Sequence, residues 1–168
     1  MPSTHFTKGT KGVAGVHLVV AQLSLRSCVA LPTTRNLKSV DIVAFNEAMN
    51  QFAFIQVKAT DKPRGGWPVY TIQKDEGWEQ EVRQALGKGK SFFYVFVALP
   101  TPSQTAAAYY IVPSAKLADM IIRDAKKWQA ARPGRLLARS LCAWGFDASV
   151  LAKDAKKYRD RWNLLRLD

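Results

Sequence analysis

Asp41 and the tripeptide Gln56-Val57-Lys58 are the residues whose types and spacing could carry out chemistry. Phosphodiester hydrolysis commonly uses a divalent cation, and hard cations such as Mg²⁺ prefer oxygen ligands from carboxylates, amide carbonyls and water. Asp41 and Gln56 offer two such ligands. Lys58 adds a positive charge that would stabilise the phosphate or orient the attacking water. The three are therefore the candidate catalytic set, with Asp41 and Gln56 as the candidate Mg²⁺ ligands.

Two β-rich segments, residues 40–45 and 52–59, would position this set. The turn formers between them predict a hairpin. In an antiparallel pair, Asp41 near the start of one strand and Lys58 near the end of the other lie at the same end. Side chains alternate along a strand, so Gln56 and Lys58 share a face and all three side chains are expected to converge. A turn cap at Asp41, or a structural ion pair between Asp41 and Lys58, would leave the same sequence trace.

Periodicity and turn signals predict the remaining elements of an α/β fold in a single domain spanning residues 1–168. Apolar residues at helical spacing predict a first helix over residues 11–26. A flexible Pro- and Gly-rich loop is expected over residues 60–68. The other predicted elements are strands at 28–31, 69–72, 91–99 and 107–112, helices at 76–86 and from 113 to about 130, and helical composition at 149–160.

This order of elements, with the segments at residues 12–23, Val40-Asp41-Ile42-Val43 and Phe54-Ile55-Gln56-Val57-Lys58, resembles the PD-(D/E)XK nuclease superfamily. It looks closest to small bacterial restriction-like proteins that carry a Q-x-K variant. The resemblance implies a restriction-endonuclease-like αβββαβ core over about residues 10–125, with a mixed sheet flanked by helices. A basic helical C-terminal extension would follow over about residues 126–168. It also implies Mg²⁺-dependent cleavage of DNA.

Two departures from the family pattern weaken the expected metal site. Gln56 stands where the second acid of the motif belongs, and it offers a carbonyl oxygen without charge. Relatives often carry Glu directly after a glycine in the first helix, whereas this chain has Gly15-Val16. Since affinity for a hard cation follows the charge and number of its ligands, weak Mg²⁺ binding is expected.

The formal net charge of +12 favours a nucleic-acid partner, because phosphate binding requires an excess of Lys and Arg. Residues 1–74 carry a charge of +6, residues 75–110 carry −1 and residues 111–168 carry +7. A solubility charge, or the exposed end of a helix around residues 126–139, is the alternative explanation. The candidate nucleic-acid contacts, expected to meet double-stranded DNA with salt-sensitive affinity, are Lys62, Arg64, Lys126, Lys127, Arg132, Arg135 and Arg139.

The sequence argues against several other classes of protein. No apolar run approaches the roughly 18 residues that a membrane helix needs, and the start of the chain lacks signal-peptide order, so a cytoplasmic location without membrane contact is predicted. Two distant cysteines favour neither a disulfide framework nor a zinc site.

Three hypotheses about function follow from these observations. The first is a PD-(D/E)XK-type nuclease, and because enzymes that cut both strands often act as dimers it carries the expectation of a homodimer. The second is a catalytically inactive DNA-binding module that lost cleavage with the acid at Val16. The third is an accessory subunit whose positive surface meets an acidic protein partner.

Overall fold

The computed structural model describes residues 7–33, 39–62, 67–72, 76–102, 105–135, 141–144 and 151–167. Its helices are α1 (Lys8–Ser24), α2 (Trp78–Leu86), α3 (Ser114–Ala130) and α4 (Leu151–Tyr158), with a final 3₁₀ helix at Trp162–Leu165. Its strands are β1 (Val29–Pro32), β2 (Ile42–Phe45), β3 (Phe52–Thr60), β4 (Trp67–Thr71), β5 (Phe92–Ala98), β6 (Ala108–Pro113) and β7 (Leu141–Trp144).

Five of these strands form a mixed sheet in the order β1-β2-β3-β5-β6. The pairs β1–β2, β2–β3 and β5–β6 are antiparallel, whereas β3 and β5 are parallel. A parallel pair needs a crossover connection, which here contains β4 and α2. Helices flank the sheet, as the predicted α/β class requires, and the predicted hairpin is present as β2–β3.

The sheet separates two apolar cores. Every residue of β5 is buried, with Phe92, Tyr94 and Phe96 facing α2 and α3, and the residues between them facing α1. This continuous apolar run is typical of a central strand that is covered on both faces. Gln56 lies beside Tyr94 and Lys58 beside Phe96 in the β3–β5 register. The candidate residues of β3 therefore face the same side as α2 and α3.

Helix α1 covers the opposite face. Thr7 caps its start by accepting a hydrogen bond from the backbone N–H of Thr10 at 3.3 Å. Val19 and Leu23, spaced one turn apart, are buried against the sheet. Val16 packs against this same core, on the other side of the sheet from Gln56.

The chain after α3 was predicted to be helical, but it also contributes the strand β7. Strand β7 pairs with β4 in a separate two-stranded sheet, and the predicted loop at residues 60–68 ends where β4 begins at Trp67. The Trp67 indole N–H donates to the carbonyl of Val97 at 3.3 Å. Trp162 is buried in the α1-side core, as expected for aromatic residues that act as core anchors. No helix among the described residues is long and apolar enough to cross a membrane.

Candidate active site

Asp41 lies directly before β2, one residue beyond the Ile42–Ile55 pair that ends the β2–β3 ladder. Its backbone still joins both neighbours, because its N–H donates to the carbonyl of Ile55 at 2.8 Å and its carbonyl accepts from the N–H of Thr33 at 2.9 Å. The predicted strand began at residue 40, whereas the regular ladder begins at Ile42. Hydrogen bonds to both neighbouring segments therefore fix the position of the Asp41 backbone.

Where the backbone pairing of β2 with β3 ends, the carboxylate of Asp41 accepts hydrogen bonds from β3. One oxygen, Oδ2, accepts the backbone N–H of Val57 at 2.7 Å and the side-chain amide of Gln56 at 2.5 Å. Regular pairing of β2 with β3 extends only to Ile55, so the N–H of Val57 faces an edge where no backbone carbonyl of β2 accepts it. A buried N–H without an acceptor is costly, and Asp41 supplies that acceptor. The predicted proximity of Asp41 and Gln56 is confirmed.

Lys58 acts on Asp41 through its charge. Burial raises the pKa of the Asp41 carboxyl above its ordinary value, and this effect outweighs the lowering by the Val57 N–H, by the charge of Lys58 and by the Gln56 side chain. The three predicted residues therefore come together. The carboxylate is held by Gln56 and Val57, while Lys58 adds a nearby positive charge.

Lys88 joins this surface and was not among the predicted site residues. Its ammonium lies 5.1 Å from the ring centroid of Phe92, which neighbours Phe54 on the same face as Gln56. Its pKa is lowered by burial first and then by repulsion from Lys58, so the two lysines are electrostatic neighbours. The sequence signal was only a lysine in the Gly87–Gly89 turn after α2. The direction of the Lys88 side chain depends on the loop conformation, which sequence periodicity does not predict.

The oxygen ligands available to a metal ion are few. Asp41 Oδ1 takes part in neither hydrogen bond described above, and Gln56 has an amide carbonyl. In the described part of the chain, no group of three or more His, Cys, Asp or Glu side chains comes together. The sequence contains no acid before Asp41, so α1 supplies no carboxylate. Asp41 would supply a carboxylate for an ion such as Mg²⁺, which keeps several of its waters and is usually bound through one or two carboxylates together with substrate phosphates.

The predicted nucleic-acid contacts near β3 have different outcomes. Lys62 is exposed just beyond the end of β3. Arg64 lies outside the described residues. Next to Lys62, Asp61 forms an ion pair with Lys11 of α1, with 2.5 Å between Oδ1 and Nζ. This contact lowers the pKa of the Asp61 carboxyl. The end of β3 is thus tied to α1 while Lys62 stays accessible to a ligand.

The predicted contacts after residue 125 cluster at the end of α3. Lys126 forms an ion pair with Glu79 of α2 at 2.8 Å, so its charge is partly neutralised within the fold. Lys127 and Arg135 are exposed. Arg132 lies over the ring of Trp128 with its guanidinium 5.0 Å from the centroid. Arg139 lies outside the described residues.

Comparisons of this chain with protein-family models, with curated proteins and with solved structures find no match. Its function therefore has to be inferred from the Asp41 site and from the distribution of basic side chains around it.

Proposed function

We propose that this protein is a nucleic-acid-binding protein of the PD-(D/E)XK type that hydrolyses phosphodiester bonds with the help of Mg²⁺. The observation that carries the proposal is the Asp41 carboxylate, which is fixed by the Gln56 side chain and the Val57 N–H and has the charge of Lys58 beside it. A half-buried carboxylate next to a cation, at the end of an inner strand in a strongly basic protein, suits metal-assisted phosphate chemistry.

The order of the elements supports this assignment. Helix α1 is followed by three antiparallel strands, and after α2 the chain enters β5, which lies parallel to β3. The resemblance implies this succession for an αβββαβ core. It also implies a metal site with an Asp on one strand and an acid-x-Lys on the next, and here Asp41 directly precedes β2 while Gln56 and Lys58 lie on β3. The additional strand β4 before α2 is an elaboration of that pattern.

Each residue has a role that follows from its position. Asp41, through Oδ1, and Gln56, through its carbonyl, would hold the cation. When bound, the cation supplies charge neutralisation and a water of lowered pKa. Lys58 and Lys88 place two positive charges on one surface, which attracts a phosphate and opposes the negative charge that develops on it. The raised pKa of Asp41 means that a bound cation would also have to favour the ionised carboxylate.

Binding without cleavage is the second candidate function. It is favoured by the lack, among the described residues, of any group of three or more His, Cys, Asp or Glu side chains, and by the complete lack of acidic residues before Asp41 in the sequence. Such a module would keep the positively charged surface of Lys58 and Lys88, and its affinity for nucleic acid would fall steeply with added salt.

Incubation of the protein with supercoiled plasmid and Mg²⁺ or Mn²⁺ tests the proposal. We expect nicked or linear product, and a loss of about 100-fold or more in rate with Asp41→Asn and with Lys58→Met, since each removes a charge at the reacting phosphate. Asp119→Asn and Lys156→Met are matched controls, because both change an exposed charge away from the site. Both controls should cleave like the wild-type protein.

The outcomes separate the candidates. Cleavage that persists in both site variants contradicts the assignment of the active site. Wild-type protein that binds DNA in a salt-sensitive manner but never cleaves it supports the binding module. A protein that neither binds nor cleaves nucleic acid contradicts both candidates and favours an acidic protein partner.

A further inference from the structure

A cavity of about 510 Å³ lies away from Asp41, where the loop between α2 and β5, the start of α3 and the C-terminal 3₁₀ helix meet. Phe93 and Leu164 contribute apolar side chains to its lining. Lys90, Lys116 and Arg166 contribute three positive charges. The cavity volume is within the range typical of small-molecule sites.

The three cations of this cavity have no acidic partner in the part of the chain that the structure describes. Among the described residues, no acidic side chain lines the cavity and none of the three cations forms an ion pair. Elsewhere on α2 and α3 cations are paired, as Lys126 is with Glu79 and Arg83 with Asp119. Like charges that converge without a carboxylate repel one another, and an anion would relieve that repulsion.

The arrangement is held in place by buried contacts. Ser114, the first residue of α3, is fully buried, and its hydroxyl donates to the carbonyl of Gly89 at 3.0 Å. Gly89 has a φ of 105°, a conformation that suits glycine rather than other residues. This bond fastens the loop to the helix, so Lys90 is held close to Lys116. The first turn of α3 carries no acid and no side-chain cap, so its N–H groups add to the positive potential of the cavity.

The same loop serves two different surfaces. Lys88 is directed over the Phe92 ring toward the Asp41 side of the sheet, while Lys90, two residues later, lines the cavity. Phe93, in the lining, belongs to the α1-side core, whereas Phe92 belongs to the core beneath α2 and α3. The cavity is therefore distinct from the candidate active site, although one short loop contributes a lysine to each.

We infer that the cavity formed by Lys90, Lys116 and Arg166 binds a phosphate group. Arg recognises phosphate with paired hydrogen bonds, while Lys acts as a point charge, so the lining combines the two usual modes of phosphate recognition. The phosphate belongs either to a nucleic-acid backbone or to a free phosphate compound. Only the first source rests on the function proposed above.

Two binding measurements on the full chain test this inference, using Lys116→Gln, Arg166→Gln and the double variant. The first measures the melting temperature in inorganic phosphate against chloride at equal ionic strength. Phosphate should raise the melting temperature of the wild-type protein, and the double variant should lose that rise. The second measures affinity for a short DNA duplex over a series of salt concentrations. Each substitution should lower the slope of log K against log salt by about one.

Lys156→Gln is the matched control, since it removes one exposed positive charge outside the cavity, and Arg166→Lys should keep most of the phosphate effect. Changes in both measurements support a backbone phosphate, and a change in the first alone supports a free phosphate compound. If phosphate stabilises the protein but the duplex never binds, the cavity stands and the proposed function fails. Cavity variants that match Lys156→Gln in both measurements overturn the inference.

Discussion

Asp41 has a structural role and a proposed chemical role, which different substitutions can separate. Its carboxylate accepts the N–H of the buried residue Val57, which the β2 backbone does not pair. The same group is the proposed ligand for a cation. Asparagine at this position keeps an oxygen acceptor and removes the charge, whereas alanine removes both.

Asp41→Ala should lower the free energy of unfolding by about 1–3 kcal/mol, because it leaves the Val57 N–H without its acceptor. Asp41→Asn should stay within about 0.5 kcal/mol of the wild-type protein, since its carbonyl oxygen can accept the same bond. Urea denaturation monitored by tryptophan fluorescence measures both. Asp119→Ala, which removes an exposed carboxylate paired with Arg83, is the control and should cost no more than about 1 kcal/mol. Equal stability of the two Asp41 variants would show that the Val57 bond contributes nothing.

At the scale of single residues, the sequence predicted the contact that local rules determine and missed those that depend on distant elements. The spacing of Asp41 and Gln56 across a hairpin, with strand alternation, was sufficient to predict their proximity. The positions of Lys88 and of the Lys90 cavity depend on how a glycine-rich turn packs against α3. That packing includes the hydrogen bond between Gly89 and Ser114, which are 25 residues apart in the sequence. No periodic pattern encodes such a contact.

At the scale of elements, the close approach of α1 to β3 depends on Gly15. A Cβ added at Gly15 would lie 2.5 Å from the Cβ of Ala59 and 3.3 Å from Cγ1 of Val57. Because Ala59 Cβ is attached directly to the strand backbone, it cannot move aside as the end of a long side chain could. In the same helix, Gly12 is exposed, and a Cβ there would meet nothing within 4 Å. Gly12 therefore serves as the control for a substitution at Gly15.

Gly15→Ala should destabilise the protein by about 1–3 kcal/mol from overpacking, partly offset by up to about 1 kcal/mol of improved helix propensity. Gly12→Ala gains only the propensity and should be more stable by about 0.5–1 kcal/mol. Thermal or urea unfolding measures both. In the double variant Gly15→Ala with Ala59→Gly, much of the loss should be recovered, because the closest contact is removed. A Gly15→Ala variant as stable as Gly12→Ala would contradict this packing.

Most elements were predictable because their signals are local, and the exceptions are long-range. The helix signals at Ser114 and the turn at residues 46–51 place α3 and the β2–β3 hairpin almost as observed. The pairing of β4 with β7 joins segments about 70 residues apart, and β7 lies within residues 135–168, whose packing periodicity does not predict. Trp67, predicted in a flexible loop, is buried because β4 lies against the sheet. Turn composition alone does not report that burial.

At the scale of the whole molecule, the net charge of +12 comes from basic side chains of two kinds, those paired with a carboxylate and those without an ion pair among the described residues. Lys126, on α3, is paired with Glu79 of α2 at 2.8 Å. Lys127, the next residue, is exposed and has no ion pair among the described residues. Since Glu79 partly offsets the attraction of Lys126 for phosphate, these neighbours should contribute unequally to a nucleic-acid interface.

Lys127→Gln should therefore lower the slope of log K against log salt for duplex binding by about one, whereas Lys126→Gln should lower it by clearly less. Fluorescence anisotropy with a short duplex at several salt concentrations measures both slopes, and Glu79→Gln with intact Lys126 should raise the slope by freeing that charge. The two lysines are adjacent and chemically identical, so the comparison isolates the effect of the ion pair. If neither substitution changes the slope, the basic end of α3 is a solvated helix terminus, and the phosphate contacts must lie on the surfaces of Lys58 and Lys90 instead.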